Sequence, residues 1–444
     1  MDLKYYKMKF KYSIFIIFLL LFNAKVIIAQ NPGLDLSTAL TRALENNYDL
    51  IISEKDLEVA SLNNNWGIAG RYPTISFDVN NANTIDNDRN QSTRLTAGIG
   101  LNWLLFDGFR VNITKDQLGL REELSSGLLA LNVENTVEDV ILAYNNVLLQ
   151  KETLKVFKDL MDLSYDRYNY EMKKHELGGS VTYNVLQAKN IYLADKAMFL
   201  RQELEVRNAI RALNFLMGEE AGEVWSINAK MEVDTGQYIL SDLQQKMMNN
   251  NHVIRNQYIN IQLREKETSL RKSEYYPSLQ LSAGVQNSYN RNALAGSEAV
   301  TSNSIGPYIN FNLSYLLYNG GNRKRSVEIA EINEEIAGVE TEQIQHSLNN
   351  ELLSIYDNYR LRVELLNIAE EGIEAAGLNL RIAEEKFKSG VINSFNYRDI
   401  QLIYLNAALE KLNATFSLIA SHAALTRITG GFVSEIEENE NRDE

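Results

Sequence analysis

Residues Arg94 to Gly108 read RLTAGIGLNWLLFDG. Leu95, Ala97, Ile99, Leu101, Trp103 and Leu105 take the odd positions; Thr96, Gly98, Gly100, Asn102 and Leu104 take the even ones. Successive strand side chains point to opposite faces, so the stretch predicts a strand with one apolar face and one mostly small or polar face. The helical pattern that follows contains no proline, because the next proline after Pro73 is Pro277. Short strands running into very long helices are not the anatomy of an ordinary soluble domain.

Outward from this stretch, the chain reads twice. Leu36-Ser37 and Asn46-Asn47 recur as Leu240-Ser241 and Asn250-Asn251, and Tyr72-Pro73 recurs as Tyr276-Pro277, all at an offset of 204. Phe106-Asp107-Gly108 then matches Tyr318-Asn319-Gly320 at 212. Gly178 with Thr182-Tyr183-Asn184 matches Gly390 with Ser394-Phe395-Asn396 at the same offset. The offset changes once, between the two strands of the hairpin, where an exposed loop tolerates insertion.

Each copy therefore carries the order helix, strand, loop, strand, very long helix, Gly turn, helix. The first repeat spans 30–218, with helices over about 35–70, 110–176 and 182–217 and strands over about 74–84 and 94–106. A linker covers 219–238. The second repeat spans 239–430, with helices over about 239–274, 322–388 and 394–428 and strands over about 278–290 and 305–318. Residues 431–444 form an acidic tail. Pro73 and Pro277 stand where a helix must stop and a strand begin, as residues lacking an N–H should.

Residues 1–29 have the form of a signal peptide: Lys4, Lys7, Lys9 and Lys11 precede the apolar run IFIIFLLLF, and Ala29 suits cleavage. The alternative is a retained anchor, but the run is short for a bilayer-spanning helix. The segment carries five Lys and one Asp, so the net −14 of the whole chain less this +4 leaves −18 on the mature protein. An acidic chain argues against nucleic acid as a partner. With no cysteine there are no disulfides, no thiolate metal site and no lipid-bearing cysteine. No later stretch approaches the ~20 apolar residues of a membrane helix, so entry into a membrane would have to be as β-structure.

The alternation Ile305, Pro307, Ile309, Phe311, Leu313 and Tyr315 against Gly306, Tyr308, Asn310, Asn312 and Ser314 repeats the pattern of the first copy. A half-buried sheet in a soluble sandwich alternates identically. Three features favour membrane strands: lengths that suit a tilted crossing, aromatics near the strand ends (Trp103, Phe106, Tyr315, Tyr318) as in interfacial girdles, and an opposite face fit for water. Four strands cannot close a barrel, and open edges are not tolerated in lipid. Several subunits would have to pool strands; a trimer supplies twelve and leaves a lumen.

The helices from Val111 and Arg323 each run some 65 residues, roughly 100 Å. Val133, Val137, Val140, Tyr144 and Val147, and later Leu348, Leu352, Ile355, Tyr359, Val363 and Leu366, form apolar stripes for coiled-coil packing. Each helix is reversed by a turn in which Gly178 or Gly390 can supply a positive-φ cap and Thr182 or Ser394 can cap the next helix. Such a turn is either simply well capped or a docking tip.

The duplicated helix–hairpin–helix plan, the Tyr-Pro strand entries, the aromatic-Asp/Asn-Gly strand exits and the Gly-x-x-x-Ser/Thr tips together resemble the TolC-like outer-membrane efflux proteins. The resemblance covers nearly the whole mature chain and implies a mainly α protein with a membrane β-barrel. It implies a homotrimer, with a twelve-stranded barrel in the outer membrane of a Gram-negative bacterium and a helical tunnel extending into the periplasm. It implies a passive exit duct for a tripartite efflux pump or a type I secretion system, docked to a periplasmic adaptor and an inner-membrane transporter, with no cofactor. Carried over by motif, the docking tips are Gly178, Gly179, Val181 and Thr182, with Gly390, Val391, Ile392, Asn393 and Ser394. The acidic residues with which family members often close the tunnel fall at Asn396 and Asp399, so only the second keeps its charge. Asp399 is either one carboxylate of a three-fold ring or a solvated helix-face acid.

An enzyme is not indicated. His175, His252, His346 and His422 lie far apart with no ligand spacing, and there is no GxSxG or phosphate-binding loop. The remaining alternatives are a non-channel periplasmic or surface structural protein built of coiled coils and a self-sufficient porin, which explains the strands but not the long helices.

Overall fold

The computed structural model describes residues 33–87, 90–233, 235–294 and 296–433. The expected signal peptide and most of the acidic tail lie outside these residues. Among the described residues twelve elements follow in order: α1 (Leu36–Asn46), α2 (Tyr48–Asn63), β1 (Thr74–Ile85), β2 (Gln91–Asp107), α3 (Arg110–Glu176), α4 (Thr182–Leu216), α5 (Leu240–Asn250), α6 (His252–Ser273), β3 (Ser278–Ala293), β4 (Val300–Ser314), α7 (Asn322–Lys388) and α8 (Ser394–Ile428).

The duplication is visible at the level of single residues. α3 and α7 each have 67 residues, and α4 and α8 each have 35. Positive-φ glycines recur at the offset of 212: Gly108 and Gly320 (φ 69° and 70°), Gly178 and Gly390 (73° and 77°), Gly218 and Gly430 (68° and 67°). A hydrogen bond is duplicated as well. The Tyr144 hydroxyl donates to the carbonyl of Leu34 (3.1 Å), and its counterpart Tyr356 donates to that of Tyr238 (3.4 Å).

The single first helix expected in each copy is in fact two. Asn47 and Asn251 break it, in extended backbone (φ −65° and −62°). Each side-chain Oδ1 accepts from the amides two and three residues on: Asp49 and Leu50 after Asn47 (2.9 and 3.3 Å), Val253 and Ile254 after Asn251 (2.9 and 3.3 Å). A short amide that caps the following helix outcompetes continuation of the preceding one. The recurring Asn-Asn pair therefore marks a helix break rather than a helix interior.

The described chain divides into two compact units. One, from Met1–Ala43, Val140–Asp234 and Leu366–Ser417, has only helices as its described regular elements. Its core gathers Ala39, Ala43, Val140, Tyr144, Val147, Ala209, Leu213 and Met217 with Trp225 of the linker. Arg42 covers the Trp225 ring at 4.8 Å, and the indole N–H donates to the Asn214 Oδ1 at 2.7 Å. Val140, Val147 and Leu213 have no exposed surface, so the stripe read from the sequence is core here.

The other unit, from Leu44–Asp139, Thr235–Leu365 and Leu418–Glu444, holds the strands. They form one antiparallel sheet in the order β1-β2-β3-β4. The sheet is open: β1 and β4 are its edges, and it closes no barrel within one chain. Leu105 is the extra residue of a β-bulge in β2, since Leu104 pairs with Gln280 while Phe106 pairs with Leu279. The bulge moves Phe106, not Leu105, onto the face of Leu101 and Trp103. β4 ends at Ser314, so Tyr315 and Tyr318 lie just past the strand rather than within it. No helix of the described residues is long and apolar enough to cross a membrane.

The capping role sets an expectation. Asn47→Ala and Asn251→Ala should each destabilise the protein by about 1 kcal/mol, read as a lowered thermal midpoint, and Asn→Ser or Asn→Asp at the same positions should recover most of it.

Candidate functional site: a bare sheet face and two helical turns

The sheet register aligns side chains in rows across all four strands. Ile75, Leu101, Ala283 and Ile309 form one row; Phe77, Ile99, Val285 and Pro307 form the next. Beyond them, on the same face, lie Trp103, Leu281 and Phe311 in one direction and Val79, Ala97 and Ile305 in the other. This apolar face is uncovered in the single chain: Phe77 is 70% exposed, Ile309 70%, Phe311 67% and Ile305 76%. An apolar surface of this extent marks a partner or a membrane. Trp103 anchors one end, its indole N–H donating to the Arg71 carbonyl at 2.9 Å. Phe106 stands edge-on to Phe109 beside it, with Tyr276 next in line.

The opposite face carries rows such as Thr74–Asn102–Ser282–Asn310 and Asp78–Gly98–Gln286–Gly306. It is small and polar. One sheet thus presents an oily side and a wettable side, the division a strand array needs to stand between lipid and water.

The two turns belong to the helical unit. After α3, the Gly179 amide donates to the Lys174 carbonyl (2.8 Å); after α7, the Val391 amide donates to that of Lys386 (2.9 Å). With Gly178 and Gly390 in the left-handed region, both ends are Schellman caps. The capping of the following helices differs from expectation. α4 begins at Thr182, and Val181 precedes it without a side-chain cap. α8 begins at Ser394, and the cap is Asn393, whose Oδ1 accepts from Phe395 and Asn396 (2.9 and 3.0 Å). The hydroxyls assigned to capping are used elsewhere. Thr182 lies 3.2 Å from the His175 ring, and Ser394 accepts from Arg167 at 3.0 Å.

Apolar side chains project from both turns. Leu177 is 88% exposed, Val181 61% and Val391 70%, with Ile392 half-buried beside them. Asn396 and Asp399 are both exposed on α8.

Behind the turns lies a polar cluster that the sequence reading did not single out. Arg398 holds the Asp195 carboxylate with two parallel hydrogen bonds (2.7 and 2.9 Å), and Asp195 has no exposed surface. Arg167 and Glu171 are each 5% exposed, and Glu171 accepts from Ser180 at 2.7 Å. Burial, reinforced by the charge of Arg398, lowers the Arg167 pKa. Burial, with the Glu384 carboxylate, raises that of the Tyr397 hydroxyl, whose ring stacks on Phe387 at 4.9 Å. The signal was present but subtle. At the repeat offset, Arg398 stands where the first copy has Leu186, and Asp195 where the second has Ala407. Both members of the pair break the duplication.

The chain belongs to the family described as Outer membrane efflux protein, which matches residues 39–219 and 243–431. No curated protein matches it. Among solved structures it is similar to a membrane protein from Pseudomonas aeruginosa (15% identity, TM-score 0.73, covering 90% of this chain and 91% of that one). It is similar also to the CmeC outer membrane channel of Campylobacter jejuni (16%, 0.73, 89% and 85%) and to the open state of the MtrE outer membrane channel of Neisseria gonorrhoeae (16%, 0.69, 89% and 89%). The protein is an outer-membrane efflux channel of a Gram-negative cell with a periplasmic extension, a passive conduit and not an enzyme. Membership of this family sets aside the non-channel coiled-coil alternative.

Removing one partner of a buried charge pair leaves the other uncompensated. Arg398→Ala should therefore cost roughly 3–5 kcal/mol, seen as a fall in thermal midpoint. The swap Asp195→Arg with Arg398→Asp should recover a substantial part of that loss, whereas either reversal alone should not.

Proposed function

We propose that three copies of this chain pool their sheets into one twelve-stranded barrel across the outer membrane, and that their helices enclose a duct through the periplasm. The observation that carries this reading is the open sheet with its uncovered apolar face. Backbone groups at the β1 and β4 edges need partners in lipid, and the edges of identical copies are the partners at hand. Eight strands from a dimer would be filled by their own side chains, whereas twelve leave a lumen. The apolar rows from Leu279 to Asn287 of β3 extend roughly 27 Å along the strand. At a tilt of about 40° they cover roughly 20 Å, close to the apolar band of known barrels. Trp103, Phe106, Tyr315 and Tyr318 then form the interfacial girdle.

The two Schellman turns are the docking tips for a periplasmic adaptor, which couples the duct to an energised inner-membrane transporter. Gly178, Gly179, Val181 and Thr182 form one tip; Gly390, Val391, Ile392, Asn393 and Ser394 form the other. Exposed Leu177, Val181 and Val391 give an adaptor apolar contacts that the free protein leaves in water. In this reading the duct serves a tripartite efflux pump or a type I secretion system. Asp399 and Asn396 line the periplasmic constriction, where three Asp399 carboxylates repel one another and attract cations.

Three measurements test this reading. Light scattering of the detergent-extracted protein, corrected for detergent, should give three times the chain mass; a stable monomer would refute the barrel. Val181→Glu and Val391→Glu alter exposed side chains only, so the protein should reach the membrane at normal levels while drug resistance of the host falls. Asp399→Ala should raise single-channel conductance in planar bilayers, and an unchanged value would put the constriction elsewhere.

A further inference from the structure

Tyr308 is the only aromatic residue on the polar face of the four strands. Its row runs Ser76, Gly100, Gly284, Tyr308, from one edge of the sheet to the other. Both residues between the two ends are glycine, and the tyrosine side chain lies over them. A Cβ built on Gly284 would sit 2.8 Å from the Tyr308 hydroxyl and 2.9 Å from its Cζ. One built on Gly100, a strand further in, would sit 3.1 Å from the same hydroxyl. The ring therefore reaches back from the edge strand across its neighbours, in a slot that exists only because two side chains are missing. Covering a glycine by a cross-strand aromatic is a known stabilising device in sheets.

The surroundings give the ring a second use. The next row is Asp78, Gly98, Gln286, Gly306, with two more glycines, and nothing lies within 4 Å of the position a Cβ on Gly306 would take. Around Tyr308 the polar face is thus almost bare backbone with small polar groups. One side of the ring rests on the sheet. The other is left to whatever moves along this face, and the side chain remains partly exposed. Resting on the proposal that this face lines a water-filled lumen, we infer that Tyr308 is a cargo-contact residue: a stacking platform for planar aromatic molecules, cationic ones above all, repeated three times at one level of the barrel. A flat π-face accepts an aromatic ring in offset stacking and a cation over its centre. Asp78, in the next row but on the opposite edge strand, roughly 14 Å across the same face, adds negative charge to the surface a cationic passenger would meet.

The test uses the full-length protein in planar lipid bilayers, with ethidium as the planar aromatic cation and magnesium as a strongly hydrated cation that holds its water shell. Ethidium added to either side in turn should interrupt the wild-type current. In Tyr308→Ala the dwell time of these interruptions should fall about fivefold, the scale of a lost stacking or cation–π contact. Tyr308→Leu, which keeps the glycines covered but removes the ring, should fall with it. Tyr308→Phe should behave as wild type, and magnesium, which keeps its own water shell and gains nothing from the ring, should not distinguish the four proteins. Equal ethidium dwell times in wild type, Tyr308→Ala and Tyr308→Leu would overturn the platform while leaving the barrel intact, because the channels themselves would still be seen. Absence of current steps even from the wild type would overturn both.

Discussion

The constraint on which everything else rests is the unmet hydrogen bonding of a sheet edge that must sit in oil. In water an edge strand can leave its N–H and C=O groups to the solvent. In a bilayer each such group costs several kcal/mol. The sheet of this protein has an apolar face on which Ile75, Phe77, Ile99, Ile305, Ile309 and Phe311 are more than half exposed, and it ends in two edges, β1 and β4. An oily face calls for lipid; lipid forbids the edges. The proposed association of identical sheets would answer both demands.

The helices answer a different requirement. Two of 67 residues and two of 35 bury narrow stripes such as Val140, Tyr144 and Val147, or Leu352 and Tyr359. Packing of this kind makes long elements stable without a thick core. It also leaves little room for buried charge, which makes the Asp195–Arg398 pair conspicuous. A hydrophobic pair of similar volume would be no less stabilising in general. The pair occurs at a point where the two copies differ, Arg398 against Leu186 and Asp195 against Ala407. A duplicated sequence can specialise only at such points, and here it has placed two opposite charges where the repeat would place none.

The duplication also shows how economically local chemistry is reused. Asn47 and Asn251 break and restart a helix with the same side-chain geometry. Tyr144 and Tyr356 tie the same segment of each copy to its long helix. Three glycines per copy take the left-handed conformation at corresponding positions. The tips diverge more: one copy enters its second helix with no side-chain cap, the other through Asn393. The conserved part of the turn is the glycine that reverses the chain, while the residues presented to the outside differ.

Much of the fold was legible in the amino-acid order, because period-two alternation, helical stripes, proline placement and a constant repeat offset are all local or one-dimensional signals. They sufficed for the strands, the long helices, the glycine turns and the resemblance to an efflux family. Helix breaks at Asn47 and Asn251 were hidden, since a capping asparagine looks like a tolerable helix residue until its backbone is seen in an extended conformation. The bulge at Leu105 was hidden because one extra residue leaves composition and pattern unchanged while shifting Phe106 to the other face. The Arg398 bridge to Asp195 and the ring of Tyr308 over Gly284 and Gly100 join residues that are remote in sequence. Sequence periodicity states which way a side chain points along its own element; only tertiary packing states what it meets there, and that meeting decides which buried charge is paired and which glycine serves as a slot.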